Sequence, residues 1–263
     1  MIEQEALLRL AVFVGVLTVL VLAEWLWPRR VASAPRVTRW LSNLAIVAMD
    51  TVLLRLLFPV LAVGWALQLK AHGWGLFNQL AWSGWLEGAL AVLLLDMAIY
   101  WQHRIFHAVP AFWRLHRMHH SDLDFDASTG VRFHPLEILL SMLIKLAVVT
   151  LLGADALAVL VFEILLNATS LFEHANLRIP GAVDRRLRLL LVTPDMHRVH
   201  HSIHGDEYNR NFGFNFPWWD RLFASYRAQP RDGHVGMTIG LRQFRSTPEQ
   251  RLDRLLLQPL FRN

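Results

Sequence analysis

Residues Trp85–His107 read WLEGALAVLLLDMAIYWQHRIFH, an apolar run that ends in a pair of histidines. The run is close to the length that a bilayer-spanning helix needs, and it continues into the histidines without a helix-breaking residue. Since an α-helix turns about 100° per residue, one face of this helix carries four chemically active side chains within about 60° of one another. They are Asp96, Tyr100, His103 and His107. The stretch therefore predicts a membrane helix that presents ligating groups at one end.

Two further histidine boxes follow, His116–His120 and His197–His201, both of the pattern HxxHH. The first and last histidines of such a box are about 40° apart on a helix. The adjacent pairs, His119/His120 and His200/His201, diverge by about 100° and do not easily reach one point. The spacing therefore indicates two metal ions. The alternative for a histidine-rich tract is a disordered metal-scavenging loop, but a helix-phased spacing that recurs favours ligation.

Composition places the chain among membrane proteins. Of the 263 residues, 54% are hydrophobic and 18% are charged, and the mean hydropathy is +0.33. There is no cysteine, which excludes disulfides, iron–sulfur clusters and thiolate metal sites. The net charge of +5 accompanies no nucleic-acid motif, so we attribute it to anionic lipid and membrane topology.

The apolar runs predict an all-α integral membrane bundle of about four to five membrane segments, with a helical cap that carries the boxes. A first span covers about Glu5–Trp27; a signal peptide is the alternative, but Trp25, Trp27 and the following arginines are typical of a retained anchor. Leu41–Leu69 is one tilted span or a broken one, and Lys70–Gly84 is an interfacial loop. Residues 136–172, divided at Gly153, form either two spans or a re-entrant hairpin.

Several polar residues are expected to support the site. Asp96 is a candidate acceptor for the N–H of a ligand imidazole, with a structural hydrogen bond as the alternative. Acids at 122, 124 and 126 are either partners of the second box or a solvated turn. His134, before the Pro135–Leu136–Glu137 helix start, faces the boxes, and His174 follows the hairpin. Glu163 needs a partner inside the bundle.

The third box is predicted on a helix that begins at Thr193–Pro194–Asp195 and ends near Gly205. The segment after Pro230, including His234, is predicted to lie on the surface. Three regions, 28–40, 102–135 and 173–263, hold 22 of the 26 Lys and Arg residues and share one side in this topology. The positive-inside rule makes that side the cytoplasm. We expect a bacterial inner-membrane protein with its site on the cytoplasmic face.

With these motifs in place, residues from about Asp96 to Tyr226 resemble the fatty acid hydroxylase/sterol desaturase superfamily. Besides the three boxes, the resemblance includes Arg132–Glu137 (RFHPLE), Glu173–Asn176 (EHAN) and Trp218–Phe223 (WWDRLF). It departs at Ala224-Ser225-Tyr226, where the family usually has Gly-Thr-Tyr. The resemblance implies metal ligands at His103, His107, His116, His119, His120, His174, His197, His200 and His201, with His134 less certain. Asp96 and Tyr100 are candidate supporting residues of the site.

The resemblance also implies two iron ions, O₂ and a lipid substrate taken from the bilayer, with zinc an acceptable occupant of all-histidine sites. Electrons would come from an external ferredoxin or small cytochrome with its reductase. The expected domains are N-terminal membrane helices (1–83), the catalytic domain (84–230) and a C-terminal surface tail (231–263). Hydroxylation and desaturation are both compatible with the sequence, as are several oligomeric states.

A membrane zinc hydrolase and a metal transporter are the two alternative classes of function. A membrane zinc hydrolase commonly uses HExxH, whose glutamate is the general base. All three boxes have arginine at that position: Arg104, Arg117 and Arg198. A metal transporter would need ligands along a path through the bilayer, such as Asp50, Asp96 and Glu163, whereas the boxes gather on one side.

Overall fold

The computed structural model describes residues 4–80 and 83–261, so part of the predicted Lys70–Gly84 loop lies outside the described residues. The secondary structure of the described chain is helical, which confirms the predicted fold class. The long helices are α1 (Glu5–Leu26), α2 (Arg36–Leu57), α3 (Ala62–Ala71), α4 (Gly84–Ala108), α5 (Pro110–His120), α6 (Pro135–Leu152) and α7 (Ala156–Glu173). The shorter ones are α8 (Gly181–Leu187), α9 (Pro194–His200), α10 (Gly205–Tyr208), α11 (Trp218–Leu222), α12 (Gly233–Gly236) and α13 (Leu252–Leu257). Short 3-10 helices cover Phe77–Gln79, Ala127–Val131, Thr247–Gln250 and Gln258–Leu260.

Five segments of the described chain are long and apolar enough to cross a membrane. They are Glu5–Leu26, Arg36–Ala71, Gly84–Ala108, Pro135–Leu152 and Ala156–Glu173. The protein is therefore an integral membrane protein. Helices α6 and α7 have 18 residues each and, at 1.5 Å per residue, reach about 27 Å, close to the thickness of the hydrocarbon core.

The second apolar run is broken, as one of the two sequence-based alternatives expected. Helix α2 ends at Leu57, and Phe58 takes an extended conformation (φ −116°, ψ 100°). The residue that follows is Pro59, which disfavours helical geometry in the residue before it. Helix α3 then resumes at Ala62.

A short turn at Gly153 separates helices α6 and α7, at the position that the sequence predicted. Gly153 ends α6 in the left-handed conformation (φ +63°), which glycine adopts without a steric penalty. Asp155 then caps α7 by accepting a hydrogen bond from the Leu157 N–H at 2.9 Å. Helix α7 lies at the centre of the bundle, where it contacts α1, α3 and α4. Its buried Glu163 accepts hydrogen bonds from Arg9 (2.7 Å) and Lys145 (2.6 Å), the partners that a buried carboxylate requires.

Two expectations for the C-terminal part are wrong. Helix α9 ends at His200, earlier than the predicted end near Gly205, because Ser202 instead forms a β-bridge with Ile239. That bridge joins the C-terminal segment, residues 231–263, to the residue that follows the third box. The tail is consequently not a surface segment: Met237, Ile239 and Leu255 are buried, and Leu255 packs in a cluster with Ile46 and Met118.

Candidate metal centre

Nine histidines converge in two buried clusters. The five-histidine cluster comprises His103, His107, His116, His120 and His200, and the four-histidine cluster comprises His119, His174, His197 and His201. Within each cluster, one nitrogen from every ring lies within 4.8 Å of those of the others. Helix α4 supplies two of the histidines and α5 supplies three. Helix α9 and the residue after it supply three more, and the ninth follows α7 directly. Four separate parts of the chain therefore build the centre.

Adjacent histidines separate between the clusters. His119 belongs to the four-histidine cluster and His120 to the five-histidine cluster, and His201 and His200 divide in the same way. Consecutive residues of a helix point about 100° apart, which gives this division directly. The prediction of two sites from the adjacent pairs agrees with the geometry.

The ring orientations in the five-histidine cluster are fixed from outside. The Nδ1–H of His103 donates to the Phe212 carbonyl (2.9 Å) and that of His200 to the Arg210 carbonyl (2.7 Å). A neutral imidazole has a single N–H, so the Nε2 atoms of both rings carry lone pairs. These two Nε2 atoms lie only 3.0 Å apart. Two lone pairs at this distance repel each other unless a cation lies between them.

The same reasoning applies to His116. Its Nδ1–H donates to the Glu137 carboxylate at 2.6 Å, and its Nε2 lies 3.1 Å from that of His103. The Nε2 atoms of His107 and His120 are buried and have no hydrogen-bond partner among the described residues. Unpartnered buried nitrogens are uncommon in proteins and indicate an unseen ligand.

The four-histidine cluster is arranged around His174. Its Nδ1–H donates to the Ser170 carbonyl at 2.7 Å, which leaves its Nε2 as a lone pair. The Nε2 atoms of His119, His197 and His201 each lie 3.1 Å from it. A single lone pair cannot accept three hydrogen bonds at once, so a shared cation accounts for the geometry better than hydrogen bonding does.

The spacing fits a first-row transition metal. With metal–nitrogen bonds of about 2.1 Å at right angles, two nitrogen ligands lie about 3.0 Å apart. The shortest Nε2–Nε2 separations in both clusters are 3.0–3.1 Å. Ligand type and spacing together are compatible with iron, zinc or other imidazole-binding metals.

Burial keeps these rings in the form that binds metal. It lowers the pKa of His116 and of His174 to about 3, and it holds the pKa values of His119, His197 and His200 well below the usual range. Neutral imidazole is the ligating form. At neutral pH these side chains are therefore uncharged and ready to bind a cation.

Two glutamates beside the clusters were not singled out from the sequence. Glu137 accepts the His116 hydrogen bond described above. Glu173 is fully buried, with its two carboxylate oxygens each 3.7 Å from a ring nitrogen, Nδ1 of His174 and Nδ1 of His197. Its position directly before His174 was the available signal, but only the packing of α7 against α9 brings it to His197.

Asp96 and Tyr100 lie behind the clusters rather than against an imidazole. The Asp96 carboxylate accepts hydrogen bonds from the backbone N–H groups of Asn215 and Phe216 and from the Trp219 indole (2.8 Å). The expected bond from a ligand imidazole to Asp96 is therefore not formed. The Tyr100 hydroxyl lies 2.8 Å from Ser225 Oγ. Asp96 instead orders the loop that supplies Phe212, the acceptor for His103.

His134 is not among the residues that converge. Its Nδ1 accepts a hydrogen bond from the Leu136 N–H and caps α6, while its Nε2–H donates to the Leu256 carbonyl at 3.2 Å. Both ring nitrogens thus have a protein partner. The structure places this histidine in neither cluster.

The acids after the second box form a buried ion-pair network, which neither sequence-based alternative for them anticipated. Arg39 of α2 donates to both Asp122 and Asp126. Asp124 accepts from the backbone N–H groups of Ser33 and Ala34. This network attaches the first two helices to the second box.

One cavity reaches the centre. It has a volume of about 390 Å³ and is lined by Arg104, His107, Asn209, Arg210 and Phe212, among others. His107 is only half-buried, and its Nδ1–H donates to Asn209 Oδ1 at 3.3 Å. Among the nine clustered histidines, it is the ring with access to the exterior.

The comparisons with known proteins agree with this site. The sequence profile described as "Fatty acid hydroxylase" matches residues 88–225, more than half of the chain. The chain is 30% identical to ornithine lipid hydroxylase OlsE of Rhizobium tropici over 177 residues, 66% of this chain and 50% of that protein. It is 31% identical to human alkylglycerol monooxygenase over 170 residues (64% and 37%) and 28% identical to human cholesterol 25-hydroxylase over 140 residues (52% and 50%).

The chain thus spans half or less of the length of these relatives. No solved structure is significantly similar to it. The matched residues include all nine clustered histidines, from His103 in α4 to His201 after α9. The chain belongs to the fatty acid hydroxylase family.

Proposed function

We propose that this protein is a membrane-bound di-iron enzyme that uses O₂ to hydroxylate a lipid. The observation that carries the proposal is the pair of buried all-histidine clusters, in which Nε2 atoms of different rings lie 3.0–3.1 Å from one another. Such a cluster favours a bound metal ion, and the presence of two clusters supports a site for two ions. Family membership makes iron the expected metal.

The ligands follow from the geometry. One ion would be held by the five-histidine cluster and the other by the four-histidine cluster. When bound, iron supplies the redox chemistry that O₂ reduction and oxidation of an unactivated C–H bond require. The protein itself contributes fixed ring orientations, through Glu137, Ser170, Phe212 and Arg210, and a buried setting that excludes water.

The substrate is proposed to be a membrane lipid. The centre lies where α4 and α7, both candidate membrane helices, deliver their histidines, so an acyl or isoprenoid chain could reach it from the bilayer. The relatives are named for ornithine lipid, alkylglycerol and cholesterol. Because all three are named as hydroxylases or monooxygenases, hydroxylation is favoured over desaturation.

The electrons are proposed to come from a separate protein. The chain has no cysteine to hold an iron–sulfur cluster. A ferredoxin or small cytochrome with its reductase would supply two electrons per turnover. The distribution of Arg and Lys favours the cytoplasmic face of a bacterial inner membrane as the location of the site.

The test is a single turnover with labelled oxygen. Protein purified without O₂ and loaded with iron is reduced chemically, mixed with total membrane lipid and exposed to ¹⁸O₂. We expect one ¹⁸O atom in a lipid hydroxyl, and no product from His174→Ala that retains its helical circular dichroism. Incorporation from H₂¹⁸O instead, with zinc and without O₂, would identify a hydrolase. Metal flux across proteoliposomes without lipid oxidation would identify a transporter.

A further inference from the structure

A second cavity, of about 380 Å³, lies beside the third histidine box and has a basic lining. It is bordered by Arg29, Arg178, Arg185 and His234, together with the acids Asp184 and Asp195. Its volume lies within the range of about 300–1,000 Å³ typical of small-molecule sites. None of the clustered histidines lines it.

The two acids of this cavity are already neutralised. Asp195 forms ion pairs with Arg29 (3.0 Å) and with Arg198, and Asp184 forms one with Arg188 (2.6 Å). In contrast, the guanidinium groups of Arg178 and Arg185 form no hydrogen bond or ion pair with any residue that the structure describes. The cavity therefore has positive charge in excess, which favours an anionic ligand.

The cavity is located at the end of a membrane helix. Arg29 follows α1, whose last turn carries the exposed Trp25 and is followed by the exposed Trp27. The backbone N–H of Arg178 donates to the Trp27 carbonyl at 2.9 Å, which joins the two arginine-bearing segments. Exposed tryptophans at a helix end are typical of the membrane–water interface, where lipid headgroups lie.

We propose that this cavity binds a phosphate group through the guanidinium groups of Arg178 and Arg185. A guanidinium group can donate two parallel hydrogen bonds to the oxygens of one phosphate. Both the headgroup of an anionic phospholipid and free phosphate share this chemistry. The location beside Trp25 and Trp27 favours the lipid. The proposal does not depend on the metal clusters or on the proposed reaction.

The test measures lipid retention by native mass spectrometry of the full chain in a neutral detergent. The probes are phosphatidylglycerol, diacylglycerol, which lacks the phosphate, and inorganic phosphate. We expect the wild type to retain phosphatidylglycerol and not diacylglycerol. We expect Arg178→Gln/Arg185→Gln to weaken phosphatidylglycerol binding at least about tenfold. Arg186→Gln is the matched control, because it removes an exposed arginine of α8 that does not line the cavity.

Equal binding of inorganic phosphate and phosphatidylglycerol would support the site with free phosphate as its ligand. Equal retention of phosphatidylglycerol by the wild type, the double variant and Arg186→Gln, with no binding of inorganic phosphate, would overturn the proposal.

Discussion

Replacing Glu137 with glutamine tests how the five-histidine cluster is oriented. The Nδ1–H of His116 donates to Glu137 Oε1 at 2.6 Å, and both side chains are buried. This bond fixes the tautomer in which Nε2 has a lone pair directed at the cluster. Glutamine has nearly the same size, so the substitution changes the charge of the acceptor and leaves the packing in place.

The expected magnitude follows from the strength of that bond. A hydrogen bond to a charged group contributes about 1.5–3 kcal/mol, and about 1.4 kcal/mol corresponds to a tenfold change in affinity. Loss of a supporting carboxylate typically reduces metal affinity by roughly 10–100-fold. We expect the Glu137→Gln protein to lose affinity within this range at one metal site and to keep the other unchanged.

The assay is equilibrium dialysis of the purified protein against a graded metal chelator, without O₂. Glu163→Gln is the control, because that carboxylate is equally buried but contacts Arg9 and Lys145 rather than a clustered histidine. If Glu137→Gln and the wild type lose metal at the same chelator concentration, the proposed role of Glu137 is wrong.

Three further predictions concern stability. Gly130→Ala would place a Cβ 2.4 Å from the Ser170 carbonyl oxygen, which accepts the His174 hydrogen bond, so we expect the free energy of unfolding to fall by about 1–3 kcal/mol or more. Gly181→Ala has open space around the new Cβ and should leave thermal unfolding unchanged. Arg39→Gln removes the cation that lies nearest to the buried carboxylates of Asp122 and Asp126, so we expect it to cost about 3–5 kcal/mol. Arg36→Gln changes a half-exposed arginine and should cost little, so equal melting temperatures of the two variants would contradict this reasoning. In metal-free protein, the pKa values of His116 and His174 are lower in the folded chain than in the unfolded chain, so the unfolded chain binds protons first as the pH falls. The free energy of unfolding should therefore decrease between about pH 6.5 and pH 3, by about 1.4 kcal/mol per pH unit for each histidine. A flat stability profile between pH 7 and 5 would be incompatible with neutral buried rings.

The sequence was sufficient to predict the long helices and the division of the histidines. Helical phasing alone separates His119 from His120 and His200 from His201, because it depends only on the turn per residue. Gly153, which adopts the left-handed conformation, marks the turn between α6 and α7 for an equally local reason. Local geometry of this kind is encoded in a few neighbouring residues.

Contacts between distant segments could not be predicted in the same way. His103 and His200 are oriented by backbone carbonyls of Phe212 and Arg210, and any residue type supplies a carbonyl. Asp96 has the spacing of a histidine partner, yet it bonds a loop more than 100 positions away in sequence. The tail has a mixed Leu/Arg pattern, but its burial depends on the bridge between Ser202 and Ile239.

The most direct test of the two-site account is metal stoichiometry in paired variants of one histidine doublet. The wild type, His119→Ala and His120→Ala are purified without O₂, loaded with iron and desalted, and the iron per chain is measured. With one cluster for each ion, we expect two irons in the wild type and about one in each variant. The remaining iron would be bound by the five-histidine cluster in His119→Ala and by the four-histidine cluster in His120→Ala. A wild-type protein that binds one iron, or a variant that still binds two, would contradict the account.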